Sequence, residues 1–141
     1  MIILDTNVIS ELMREGANPV VQVWARTQRR DDLVTTTINV MELRAGVEKL
    51  LASRRRRELE AALDRTVNEF FGGRVLKFDV KAAYAGAAWQ ASRRRLGKTI
   101  PTTDAQIAGI AISRRIPIAT RDVYDFESLP VKVTSPWDAQ P

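Results

Sequence analysis

The sequence of 141 residues contains neither cysteine nor histidine. The absence of cysteine excludes disulfide bonds and thiolate-bound metals, and the absence of histidine removes the commonest general base near neutral pH. A serine–histidine–aspartate triad therefore cannot form. Any metal has to be bound through oxygen, which favours hard cations such as Mg²⁺ or Mn²⁺.

The sequence also lacks long apolar segments. No apolar run reaches the roughly 20 residues that a membrane-spanning helix requires, and no basic segment precedes the apolar N-terminus as it would in a signal peptide. We therefore expect a cytoplasmic protein that does not contact membranes. The length predicts one domain over residues 1–141, which is enough chain for a single core of ordinary size.

The charge is strongly basic, with a formal net charge of +5 and a pI near 10.1. Arginine is concentrated in four short runs, at residues 29–30, 54–57, 93–95 and 114–115. The guanidinium group matches the geometry of phosphate, although any one run is equally explained as a solvated helix end. Four runs in one short chain favour a polyanionic partner.

Short apolar segments alternate with amphipathic segments along the chain. The predicted strands are residues 1–4, 33–35, 75–78, 116–119 and 131–133. The predicted helices are residues 6–14, 20–28, 38–53, 54–71, 79–96 and 104–115, with caps at Thr6 or Asn7, Thr37, Asp79, and Thr102 or Thr103. This order predicts an α/β fold with a mainly parallel sheet covered on both faces, in which ligands bind beyond the carboxyl ends of the strands.

Four acidic residues occupy informative positions in this pattern. Asp5 ends the first strand and Asp122 lies just beyond the fourth, so strand direction places both at one edge of the sheet. Glu42 and Asp104 fall on inward-facing helix positions beside small apolar residues, where a lone carboxylate is costly to bury. Taken singly, each has an ordinary explanation as a helix cap, the partner of a buried arginine, a complement to a helix dipole or a turn residue.

The combination of these four acids is more informative than any one of them. Clustered carboxylates repel one another and raise one another's pKa, and a divalent cation relieves that repulsion. Such a cation lowers the pKa of a bound water and stabilises the charge that develops on a phosphate. The sequence therefore predicts a hard-cation site next to arginines that attract a polyanion.

The segments LDTNVISEL, INVMELRAGVEKL, TTDAQIAGIA and IATRDVYDFE, with a terminal PW, span nearly the whole chain. In their order and spacing the chain resembles the PIN-domain family, in particular the VapC and FitB-like ribonuclease toxins. The resemblance implies an α/β/α sandwich, dependence on Mg²⁺ or Mn²⁺, and endonucleolytic cleavage of RNA. It further implies a homodimer inhibited by a small antitoxin, whose DNA-binding part would carry the toxin–antitoxin complex to DNA.

The resemblance also assigns roles to individual residues. Its acidic quartet falls on Asp5, Glu42, Asp104 and Asp122, with Asp5 and Asp104 as the main metal ligands. Supporting positions are Thr6, Asn7 and Thr120, while Asp125 is an alternative to Asp122 as the fourth acid. The arginine runs and the charge, and not the resemblance, give the candidates for RNA contacts, which are Arg54, Arg55, Arg93, Arg94 and Arg121.

Two other classes of function share parts of this pattern. Receiver domains and haloacid-dehalogenase-like enzymes also place an aspartate at the end of the first strand. The dehalogenase-like enzymes have a second aspartate two residues later, where Asn7 stands here. A receiver requires paired acids before its phosphorylated aspartate, and no such pair precedes Asp5. A catalytically silent RNA-binding module would need stacking aromatics, yet aromatic residues make up only 6% of the chain. Metal-dependent cleavage or stable phosphorylation of Asp5 would distinguish these classes.

Overall fold

The computed structural model describes residues 1–140. Its five strands are β1 (Ile2–Leu4), β2 (Leu33–Thr36), β3 (Val75–Leu76), β4 (Ile118–Ala119) and β5 (Val133–Thr134). All neighbouring strands are parallel, in the order β3-β2-β1-β4-β5. Because β1 is central, the residue that follows it lies between the carboxyl ends of β2 and β4.

Six α-helices flank the sheet, namely α1 (Thr6–Met13), α2 (Pro19–Thr27), α3 (Thr37–Glu48), α4 (Arg54–Arg65), α5 (Val80–Arg95) and α6 (Thr102–Arg114). Successive side chains of a strand point to opposite faces of the sheet, which explains why helices pack on both faces. Ile3 and its neighbours on one face pack with α5 and α6. Leu4 and its neighbours on the other face pack with α1 and with Phe71. The predicted α/β/α sandwich is thus confirmed.

The third helix ends at Glu48 and not at residue 53 as the sequence pattern predicted. The apolar pair Leu50 and Leu51 continues the helical periodicity, but the chain turns here because Ser53 is the N-cap of α4. Ser53 has an extended backbone, and its hydroxyl accepts a hydrogen bond from the Arg56 amide at 3.1 Å. The predicted helix over residues 54–71 likewise divides into α4 and a π-helical turn at Thr66–Phe70.

Several other predicted boundaries move by one or two residues. Asp5 caps α1 in place of Thr6 or Asn7, and Thr36 caps α3 in place of Thr37. The fourth strand begins at residue 118 and not at 116, because the Ile116 amide closes the end of α6 by donating to the Ala111 carbonyl. The fifth strand is displaced to Val133–Thr134, and α6 begins directly after Pro101 without a side-chain cap.

Helices α5 and α6 touch through two glycines. A Cβ atom added at Gly109 would collide with the Ala82 carbonyl oxygen, and one added at Gly86 would collide with that of Ala105. The missing side chains let the two backbones approach directly. This contact fixes α6 against α5, and with α6 it positions Asp104 in the first turn of that helix.

Candidate active site

Asp5 is a buried carboxylate at the carboxyl end of β1, with 7% of its surface exposed. Its Oδ1 accepts hydrogen bonds from the Thr6 amide at 2.8 Å and from Asn39 Nδ2 at 3.0 Å. Its Oδ2 accepts one from the Thr120 hydroxyl at 2.7 Å. Burial raises the pKa of Asp5, and these hydrogen bonds oppose the increase only in part. The donors hold the carboxylate in one orientation.

Glu42 on α3 is connected to Asp5 through a short chain of polar side chains. The Thr6 hydroxyl donates to Glu42 Oε1 at 2.8 Å, and Asn39 Nδ2 donates to the Thr6 hydroxyl at 3.0 Å. Burial raises the pKa of the Glu42 carboxyl, and the nearby charge of Asp5 raises it further. The two carboxylates therefore share one hydrogen-bond network.

Asp104 has the most strongly perturbed carboxyl of this region, with a pKa raised to about 7. Burial is the largest cause, and the charges of Asp5, Asp125, Glu42 and Asp122 each add to it. No hydrogen bond from residues 1–140 offsets these effects. Since all four acids act on Asp104, residues from four separate segments of the chain meet here.

Asp122 follows β4 and is connected to α1. Asn7 Nδ2 donates to Asp122 Oδ2 at 3.1 Å, and the Asp122 amide donates to the Thr120 hydroxyl at 3.1 Å. Asn7 Oδ1 accepts from the Arg121 amide at 3.1 Å. These bonds fasten the loop after β4 to the start of α1 and keep Asp122 beside Asp5. We call Asp5, Glu42, Asp104 and Asp122 the acidic cluster.

Asp125 is exposed and lies just outside the acidic cluster, on the short helix Val123–Phe126. The charge of Asp125 raises the pKa of Asp104 more than the charge of Asp122 does. Only Asp122, however, is held by Asn7. The structure thus brings both candidates for the fourth acid to the same place, with Asp122 the better fixed.

The acidic cluster lies in an open groove of about 810 Å³. Its rim carries two arginines and a tryptophan, namely Arg14, Arg121 and Trp137. A second cavity of about 560 Å³ is lined mainly by apolar side chains of α1, α2 and the Phe70–Phe71 segment, and no acidic residue lines it. The open shape and the charged lining of the groove suit an extended polar molecule, whereas the apolar cavity does not.

Comparison with known proteins agrees with this architecture. The family model for the PIN domain matches residues 2–131. The chain belongs to the PIN-domain family. Among its relatives, the VapC ribonuclease Y4jK of Sinorhizobium fredii is 36% identical over 138 residues, covering 98% of this chain and 99% of the relative. The toxin FitB of Neisseria gonorrhoeae is 36% identical over 137 residues, covering 97% and 99%.

A solved structure of FitAB bound to an IR36 DNA fragment superposes on this PIN domain with a TM-score of 0.91. The two chains are 34% identical, and the match covers 100% of this chain and 99% of the other. The resemblance to VapC and FitB-like PIN domains inferred from the motifs is thereby confirmed. No helix within residues 1–140 combines the length and hydrophobicity needed to cross a bilayer.

The donor set of this PIN domain suits a hard divalent cation. No three acidic side chains of residues 1–140 already converge on one point as a complete ligand set. Mg²⁺, however, requires only one or two carboxylates and keeps several waters. The raised pKa values of Asp5, Glu42 and Asp104 reflect burial together with uncompensated negative charge, which a cation would neutralise. The residues present therefore fit Mg²⁺ or Mn²⁺.

Asn39 is a site residue that the sequence analysis missed. It is fully buried at 0% exposure, and its amide donates to both Asp5 and Thr6. Its Oδ1 accepts from the Thr36 hydroxyl at 2.6 Å. The available signal was its spacing, since Asn39 lies three residues before Glu42 on the same helix and so shares its face.

The predicted RNA contacts are dispersed. Arg93 is only 2% exposed and its guanidinium bonds to Ser128 and Glu127, so the structure contradicts its prediction as an RNA contact. Arg54 forms an ion pair with Glu58 at 3.0 Å. Arg55 and Arg94 are exposed but do not line the groove. Of the five candidates, Arg121 alone lies in the groove.

Proposed function

We propose that this PIN domain is a metal-dependent endoribonuclease and the toxin of a toxin–antitoxin pair. The observation that carries the proposal is Asp104, whose pKa is raised to about 7 by burial and by four neighbouring carboxylates in an open groove. A carboxylate so perturbed and so placed is typical of functional sites. Relatives named a VapC ribonuclease and a FitB toxin support the choice of reaction and of biological role.

Asp5 and Asp104 would hold Mg²⁺ or Mn²⁺, with Glu42 and Asp122 as the remaining oxygen donors. When bound, the cation supplies a water of lowered pKa and stabilises negative charge on the attacked phosphate. The three donors to Asp5 keep its carboxylate from rotating. Glu42, oriented by the Thr6 hydroxyl, would direct the attacking water toward the phosphorus. Asp122, fixed by Asn7, would complete the site.

We propose a small antitoxin as the inhibitory partner and a homodimer as the assembled form of the toxin. The solved structure of FitAB bound to a DNA fragment supports a toxin–antitoxin complex that binds DNA. The substrate is RNA, and the expected compartment is the cytoplasm, where both RNA and antitoxin are available.

The decisive experiment is cleavage of single-stranded RNA by the purified protein with Mn²⁺, Mg²⁺ or a chelator. Asp5→Asn preserves shape but removes charge, so cleavage should fall by roughly two orders of magnitude or more. Glu11→Gln is the matched control, because Glu11 lines the same groove but pairs with Arg14 at 2.8 Å. Cleavage that persists with chelator, or equally in Asp5→Asn, would overturn the assignment.

The same variants test the biological role. Expression of the native chain without an antitoxin should arrest growth, because free RNA cleavage harms the cell. Asp5→Asn should restore growth, whereas Glu11→Gln should remain toxic. Equal toxicity of the native chain and Asp5→Asn would contradict a toxin that acts by RNA cleavage.

A further inference from the structure

Arg121 is a cation next to the acidic cluster that pairs with none of its members. It stands between Thr120 and Asp122, is exposed, and lines the groove. The ion pairs formed within residues 1–140 join other residues and do not include Arg121. An arginine this close to several carboxylates would ordinarily form a charge-assisted hydrogen bond with one of them. Some other contact must hold it away.

That contact is with Trp137. The Arg121 guanidinium carbon lies 4.7 Å from the centre of the Trp137 ring, within the range of a cation–π interaction. Trp137 is itself fixed, because it lies on the short helix Pro136–Asp138 and packs against the core cluster that includes Leu4 and Ala119. The backbone of Arg121 is also fixed through its amide, which donates to Asn7.

This arrangement has two chemical consequences. Arg121 does not neutralise the carboxylates, so they remain free to bind a cation. A guanidinium that lies over an aromatic ring still has N–H groups on its edge that can donate to another group. The edge of Arg121 is then available to a group with several acceptor oxygens, and a phosphodiester provides two in suitable geometry.

We infer that Arg121, held on Trp137, binds a backbone phosphate of the RNA strand immediately beside the acidic cluster. The inference rests on the proposed function, since it takes RNA to be the molecule in the groove. Arg121 is the residue that contacts the phosphate. Trp137 is a positioning residue that keeps the guanidinium from turning toward the acids.

The test measures binding of single-stranded RNA to the Asp5→Asn protein, which does not cleave, over a series of salt concentrations. When the logarithm of the binding constant is plotted against the logarithm of the salt concentration, each neutralised phosphate contributes about 0.7 to the steepness of the slope. Arg121→Gln should therefore flatten the slope by about 0.7. Trp137→Leu should do the same although it removes no charge, and Trp137→Phe, which keeps an aromatic face, should restore most of the slope.

Arg14→Gln is the matched control, because Arg14 lies on the same rim but is already paired with Glu11. It should flatten the slope by less than Arg121→Gln does. Stabilisation by Mn²⁺ in the native background should not be reduced by Arg121→Gln, since phosphate contacts position the substrate and do not build the metal site.

An unchanged slope in Arg121→Gln would overturn the inference. If Arg121→Gln left the slope unchanged but lowered the affinity for an acidic peptide, the inference would also be overturned, because Arg121 would then bind a protein partner. A slope that changes in Arg121→Gln but not in Trp137→Leu would overturn the role of Trp137. Failure of the native protein to cleave RNA would refute the proposed function separately, since the slope is measured without cleavage.

Discussion

Asp104→Asn should stabilise the metal-free protein at neutral and alkaline pH. The pKa of Asp104 in the folded protein is about 7, against an ordinary value of 3.8. The folded state therefore binds this proton more tightly than the unfolded state does. The resulting stability is present in full below the unfolded pKa and is lost as the pH rises toward the folded pKa. At higher pH the charged carboxylate destabilises the fold, and asparagine removes that charge.

The size of the effect follows from the two pKa values. A tenfold change in proton affinity corresponds to about 1.4 kcal/mol. For a fully buried carboxyl, ionisation would therefore lower the free energy of unfolding by about 4 kcal/mol. Asp104 is only half-buried, and screening by solvent reduces the expected value to about 2 kcal/mol. The stability gap between Asp104→Asn and the native chain should thus widen by about 2 kcal/mol between about pH 4 and about pH 8. This corresponds to roughly 6 °C in melting temperature for a chain of this length.

Urea or thermal unfolding in the presence of a chelator measures this gap at each pH. Asp64→Asn is a suitable control, because Asp64 is exposed on α4 and lies outside the acidic cluster. Millimolar Mn²⁺ should then stabilise the native chain by mass action and should affect Asp104→Asn much less. A gap that stays constant with pH, or a native chain that is more stable than the variant at high pH, would refute the reasoning.

Three further substitutions test other parts of the structure. Gly109→Ala should lower the free energy of unfolding by about 3 kcal/mol, because the added methyl group would clash with the α5 backbone. Gly46→Ala is the control, because a methyl group at Gly46 meets no other atom, and urea unfolding measures both variants. Thr6→Val should reduce RNA cleavage roughly tenfold by releasing Glu42, with Thr6→Ser retaining activity; a kinetic assay that finds equal rates would contradict this. Arg93→Met should leave the salt dependence of RNA binding unchanged, because Arg93 is buried, and a flattened slope would show that it reaches the RNA.

The acidic cluster could be predicted from the sequence because strand direction alone brings Asp5 and Asp122 to one edge. Helical periodicity added Glu42 and Asp104. The hydrogen bonds between them could not be predicted in the same way. Asn39 meets Asp5 across 34 residues, and such a contact depends on how α3 packs over the sheet, which no local pattern specifies.

The prediction for Arg93 failed although the sequence contained the information to correct it. Ala82, Gly86, Trp89 and Arg93 follow one another at spacings of three and four, and all four are buried on one face of α5. Treating residues 93–95 as one basic run obscured this periodicity. The end of α3 was harder to predict, because Leu50 and Leu51 continue an apolar pattern that the cap at Ser53 interrupts.

The hydrogen bond between Asp5 and Thr120 joins residues that are 115 positions apart. The four acids come from the end of β1, from α3, from α6 and from the loop after β4, so no fragment that stops short of β4 contains them all. A chain still emerging from the ribosome lacks the assembled cluster until nearly the whole sequence has been made. A single proteolytic cut that releases the segment after α6 likewise removes both Thr120 and Asp122. Premature or clipped chains should therefore be harmless to the cell that makes them.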